Sequence, residues 1–150
     1  MNFFQELVWD LGEMMKIPFH IDENNACRLL IGEKLPIQLE MDDMGENVLV
    51  AASVSEIPPG RFREDLLKAA LKANAPYNPH GALAYVEKKN ILVLYKFLAI
   101  SQCTAPKLVE FLVPFIEYAE SWQASVLSGI PPSPSQHTNK RDLPPPFSIR

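Results

Sequence analysis

Few residues in this chain offer chemistry, and the densest group opens the stretch HIDENNACRLLIGEKLPIQLEM, where His20, Asp22, Glu23 and Cys27 fall within eight positions. These are the residue types of a metal or nucleophile site. Catalysis needs a nucleophile, a base and an orienting group, or a set of metal ligands, within mutual reach. Structural zinc asks for four N or S ligands, usually as Cys-x-x-Cys pairs, and the chain has two cysteines, Cys27 and Cys103, far apart. Calcium asks for an oxygen-rich loop closed by Glu, whereas DENNACRLLIGE has Ala, Cys and apolar residues where ligands belong. His80 sits in the loop NAPYNPHG with no thiol, Ser-Gly elbow or acidic pair beside it. Cys27 reads as a small strand hydrophobe, and Cys103, at a helix start, is open to a dipole-lowered pKa. Glu40, Asp42, Asp43 and Glu46 read as a solvated hairpin tip. The six glycines are scattered singly, without a phosphate-binding loop. The expectation is a chain with no catalytic, cofactor or metal site. An enzyme built on His80 or Cys103 is the competing class.

The elements that must position these residues follow from periodicity. Phe4, Leu7, Val8, Leu11, Met14 and Met15 recur at helical spacing opposite Gln5, Glu6, Asp10 and Glu13, which predicts an amphipathic helix ending near Lys16, ahead of Pro18. DENN is a turn, ACRLLIG a short strand, and LPIQLEM alternates apolar and polar residues as a half-buried strand does. After the turn DDMGEN, VLVAASV completes an antiparallel meander. Pro58 and Pro59 precede a second helix, GRFREDLLKAALKA, with Phe62, Leu66, Ala70 and Ala73 on one line and Leu67 and Leu71 on its neighbour. ALAYVEK and NILVLYKFL form a hairpin with apolar residues on both faces. Thr104 caps a last helix whose first turn holds Pro106, whose stripe runs from Leu108 to Val126 and whose end is Gly129; Pro114 predicts a kink within it. The expected fold is α+β, in the order α-β-β-β-α-β-β-α, with a twisted antiparallel sheet packed against helices.

Length and charge bound the rest. A chain of 150 residues supports one self-sufficient domain, expected over 1–128. Residues 129–150 hold six of the 14 prolines and read as a disordered or polyproline-like tail. PPSP and LPPPF within it are possible ligands for an aromatic-lined groove. Lys140, Arg141 and Arg150 against Asp142 give that tail a net +2, which leaves −6 of the overall −4 on the body. An acidic body disfavours nucleic acid, whose affinity comes from Lys and Arg on phosphates. The ten-residue run ILVLYKFLAI, interrupted by Lys96, is too short to insert in a membrane. Without a basic leader at the N-terminus and with few thiols, the expected compartment is the reducing cytoplasm. Apolar positions outnumber what one small sheet covered on one face can hide, unless a monomer buries them all. Two sinks are natural: a homodimer contact, and a groove for an extended or helical peptide.

The element order, LPIQLEM after DENNACRLLIG, HGALAYVEKKNILVLYKFLAI and the late helix with EYAESWQ together resemble the class I type III secretion chaperones, the Tir-chaperone (CesT/SycE-like) family, over residues 2–128. NAPYNPHG departs from the glycine-rich loop common there. The resemblance implies a cytosolic homodimer, without cofactors or ATP hydrolysis of its own, that binds the non-globular N-terminal segment of a secreted effector protein and keeps it export-competent. It raises the secretion ATPase as a further partner. A regulator of the same fold that sequesters a transcription factor or another chaperone is the alternative. Carried onto this chain, the resemblance puts effector binding on Phe4, Leu7, Val8, Leu11, Leu29, Ile31, Ile91 and Val93. It puts the dimer contact on Leu66, Leu67, Ala70, Leu71, Leu83 and Tyr85.

Overall fold

The structure, a computed structural model, describes residues 2–130; the part of the Pro-rich tail from 131 onward lies outside them. Its elements are α1 (Phe3–Met15), β1 (His20–Ile21), β2 (Ala26–Ile31), β3 (Leu35–Met41), β4 (Asn47–Glu56), α2 (Arg61–Asn74), β5 (Ala82–Val86), β6 (Ile91–Ala99) and α3 (Ala105–Ser128), with a single 3-10 turn at Ile100–Gln102. The expected order is present, with one addition. The two-residue β1 pairs His20 with Arg28 and Ile21 with Cys27.

Local chemistry sets the ends of these elements. Asn2 and Gln5 form a reciprocal capping box at the start of α1, with Asn2 accepting from Gln5 N–H at 2.8 Å and donating to Gln5 Oε1 at 3.0 Å. Lys16 ends the helix in a left-handed conformation, as the approach of Pro18 requires a turn away from the helical path. In the DENN turn the Asp22 carboxylate accepts from the N–H groups of Asn24 and Ala26, at 2.8 and 3.0 Å, and so returns the chain as β2. Asp42 does the same for the β3–β4 hairpin, through Glu46 N–H at 2.8 Å and the Asn47 side chain at 3.0 Å. Thr104 caps α3, Gly129 closes it at φ 73°, and the helix continues through Pro114. Only the carbonyl of Glu110 loses a helical partner there.

The six strands form one antiparallel sheet in the order β1-β2-β3-β4-β6-β5. Cross-strand partners share a face, so the pairs Leu29–Ile37, Leu39–Val50, Ala52–Leu94 and Leu83–Leu94 assign the inner face. That face joins Phe4, Leu7, Val8 and Leu11 of α1 and Leu108, Leu112, Phe115, Ala119 and Trp122 of α3 in one core. Both helices therefore cover the same side of the sheet. α2 sits at the β5 end, where Leu66 and Ala70 enter that core. There the Asn74 amide donates to the Leu83 carbonyl at 2.8 Å and accepts from its N–H at 2.9 Å, which satisfies one residue of an otherwise open edge.

Among the described residues the opposite face carries no helix. On β2 and β3 it is polar, with Arg28 donating to Gln38 at 3.2 Å and Gln38 to Glu40 at 2.9 Å. Towards β4, β6 and β5 it becomes apolar, through the pairs Leu49–Phe97, Ala51–Tyr95, Ala84–Val93 and Val86–Ile91.

Candidate interaction surfaces

The apparent ligand cluster at His20–Cys27 does not assemble. Asp22 is spent on the turn, where bonds from Ala26 and then Asn24 N–H hold its carboxyl below the usual range. Cys27 lies wholly in the core, and burial pushes its thiol up to about 11. Burial also raises the Cys103 thiol, against the helix-dipole lowering its position suggested. A buried thiol in apolar surroundings is a poor nucleophile. His80 packs against Tyr118 at 5.2 Å between ring centroids, and burial, opposed by Glu117 and aided by Lys96, lowers its pKa. Among the described residues no group of three or more His, Cys, Asp or Glu side chains is placed to hold a metal ion. None of their helices is long and apolar enough to cross a membrane.

Among the apolar surfaces that the described residues leave uncovered, three are contiguous with the sheet or α1. The first is a cleft between α1 and residues 17–21, made of adjoining cavities of about 380 and 400 Å³ that share Val8, Trp9 and Phe19. Trp9 projects into it at 63% exposure. Gly12 allows the cleft floor to close up, because a Cβ there would stand 2.9 Å from the Phe19 ring and 3.1 Å from the Ile17 carbonyl. The second place is the β2 edge. β1 covers only Cys27 and Arg28, so the backbone of Leu29, Leu30 and Ile31 has a strand on one side only, with the Leu30 side chain 54% exposed. The third is the apolar half of the outer face, where Val93, Tyr95 and Phe97 stand in a row along β6, Phe97 being 52% exposed.

These surfaces redistribute the residues singled out by sequence. Phe4, Leu7, Val8, Leu11 and Leu29 are buried in the core of the single chain, and Ile31 is half-buried at the β2 edge. Ile91 and Val93 are half-buried and lie on the outer face, across the sheet from α1. The structure thus does not bring the eight effector-binding candidates together on one surface. Of the dimer candidates, Leu66, Ala70 and Leu83 are core, Leu67 and Tyr85 half-buried, and Leu71 is 71% exposed. Tyr85 is held inward, its hydroxyl donating to Asn90 at 2.6 Å with the Arg63 guanidinium over its ring. Periodicity missed Trp9, Leu30, Tyr95 and Phe97. Trp9 was visible as an aromatic among Glu6, Asp10 and Glu13, and the β6 row as the second apolar face of ILVLYKFL.

Comparison with known proteins agrees with this architecture. Residues 6–123 match the model of the Tir chaperone protein (CesT) family. Searched by sequence, the curated proteins give no match. Among solved structures, the chain is similar to one from the HopA1-SchA chaperone-effector complex, at 20% identity over 81% of this chain and 94% of that one, with a TM-score of 0.66. A chain from the ExsC-ExsE complex is likewise 20% identical, over 84% and 97%, with a TM-score of 0.65. A third likeness, at 15% identity over 79% and 98% and a TM-score of 0.63, is to the structure of the Yersinia pestis type III secretion chaperone SycH with a fragment of YscM2. At these identities the solved structures establish the fold, and the family match covers most of the chain. The protein belongs to the Tir chaperone protein (CesT) family.

Proposed function

We propose that the protein acts in the cytoplasm as a homodimer, binds an extended N-terminal segment of a secreted effector, and holds it ready for export without catalysis of its own. The observation that carries this reading is the uncovered apolar surface, divided between opposite sides of the sheet. An open strand edge beside an aromatic cleft suits an extended peptide, whose backbone continues the sheet while alternate side chains enter pockets. Trp9 and Ile31 lie on the helix-covered side of that edge, with Phe4, Leu7, Val8, Leu11 and Leu29 beneath them as its support, and Leu30 projects from the other side of the same strand. The row Val93, Tyr95 and Phe97, with Ile91 and Val86, forms a flat patch suited to a second copy; Leu67 and Leu71 of α2 extend the contact. The chaperone-effector assembly among the structural relatives supports the partner class. Residues 1–128 serve as the binding unit, 129–150 as an appendage, and the secretion ATPase receives the loaded complex.

Co-purification from the native cytoplasm, followed by limited proteolysis, tests this reading. The expected complex holds two copies of the chaperone and one partner protected only over an N-terminal segment. Trp9→Glu is expected to release the partner while the dimer persists, and Phe97→Glu to split the dimer. A monomer that carries no partner, or a partner held equally well by the Trp9→Glu variant, contradicts the proposal.

A further inference from the structure

The Trp9 cleft has a chemical character beyond apolarity. Glu6 and Glu13 stand three residues before and four after Trp9, on its own helix face, and Asp10 is adjacent; all three are exposed and α1 contains no basic residue. Lys16, just past the helix end, is the one cation among the cleft's lining residues. An exposed indole flanked by Phe19, Pro18 and carboxylates is the surface that receives a polyproline helix bearing cationic residues: proline rings pack on aromatic faces, and guanidinium or ammonium groups pair with the acids.

The chain contains such a ligand. Residues 140–147 read KRDLPPPF, with Lys140 and Arg141 ahead of three consecutive prolines and Phe147, and the segment from 131 to 150 carries a net +2 against −6 on the remainder. A ten-residue tether over 131–140 would span roughly 30 Å if extended at polyproline rise, against a length of about 36 Å for the 24-residue α3. α1 and α3 share one core.

We propose that KRDLPPPF docks in the Trp9 cleft of its own chain as a polyproline ligand. Being tethered, it acts at an effective concentration of about millimolar, so even a weak docking keeps the cleft largely filled. If the cleft is also where an effector segment binds, the tail is what that segment must displace; the docking itself does not depend on that reading.

Fluorescence quenching by acrylamide tests the docking in the full chain. Of the two tryptophans, Trp122 is 1% exposed, so quenching reports Trp9, and a Trp9→Phe variant confirms the source of the signal. The expected result is a Stern–Volmer constant severalfold lower in the wild type than in a chain with Pro144, Pro145, Pro146 and Phe147 all changed to Ser. K140E/R141E is expected to raise it as well, and added salt to raise it in the wild type but not in the Ser variant. Equal quenching in wild type and both variants overturns the proposal. Mixed assemblies decide which copy supplies the tail: Trp9 on a chain with the Ser-substituted tail is paired with a Trp9→Phe chain whose tail is intact. Full quenching of that Trp9 supports docking within one chain, and shielding overturns it in favour of a neighbouring copy. Loss of shielding on addition of an effector peptide belongs to the functional reading and leaves the docking intact.

Discussion

Trp9 and Trp122 show one side chain put to opposite uses. Trp122 lies in the core with Tyr118 edge-on at 6.5 Å, whereas the described residues leave Trp9 63% exposed on the acidic face of α1. Removing a buried aromatic costs about 3–5 kcal/mol, through lost burial and the cavity left behind, and removing an exposed one costs little. Urea denaturation is therefore expected to show a loss of about 3–5 kcal/mol for Trp122→Ala and less than ~1 kcal/mol for Trp9→Ala. The cysteines give a second test at this scale. Cys27 and Cys103 are both buried with raised pKa values, so a thiol reagent at neutral pH is expected to modify neither in the native protein and both in denaturant. Rapid native labelling of either would contradict the packing. The periodic residues of α1 were legible as an apolar stripe, but a stripe marks which face is buried and does not say whether another chain buries it. Phe4, Leu7, Val8 and Leu11 turned out to be covered by α3 and the sheet of their own chain.

At the scale of elements, the meander and both long helices were legible because each repeats its pattern over several residues. LPIQLEM is buried at Leu35, Ile37 and Leu39 as its alternation requires, and α3 ends where Gly129 allows. His20–Ile21 was not legible as a strand, since two residues carry no period; it pairs because the Asp22 turn returns the chain beside it. The resemblance put Leu66, Ala70 and Leu83 at the dimer contact; within the single chain all three lie in the core, with α2 against β5. Gly12 makes the junction between α1 and the following segment testable. Alanine is favoured over glycine in a helix by about 1 kcal/mol, but overpacking against a ring and a carbonyl costs about 1–3 kcal/mol. Gly12→Ala is thus expected to destabilise the protein or leave it unchanged, and a gain near the full propensity value would show that Phe19 yields freely. The loop before β5 supplies a pH test. His80 has a folded pKa below its ordinary 6.5, burial being the first cause, so the unfolded chain protonates first. Its contribution is intact above the unfolded value and lost as pH falls through 6.5 to the lower folded value. The urea midpoint is expected to drop between about pH 7 and 5, and His80→Asn to flatten part of that slope.

At the scale of the whole molecule, the sheet separates two surfaces. Helices α1 and α3 cover one face, leaving the Trp9 cleft and the β2 edge at its margin; the other face is polar on β2–β3 and apolar on β4–β6–β5. That separation places the Trp9 cleft and the β6 row on different sides of the sheet. It also explains why the sequence showed an excess of apolar positions without saying where the excess lay. Strand pairing decides that Val93, Tyr95 and Phe97 face away from the core while Leu92 and Leu94 face into it. Hydrogen–deuterium exchange of the full chain, free and bound to its co-purified partner, tests the central claim most directly. The account predicts new protection over residues 17–21 and at Leu30, whose N–H faces the open edge, on partner binding, with exchange along β6 unchanged. Protection confined to β5 and β6, with the β2 edge exchanging as freely as before, would contradict it.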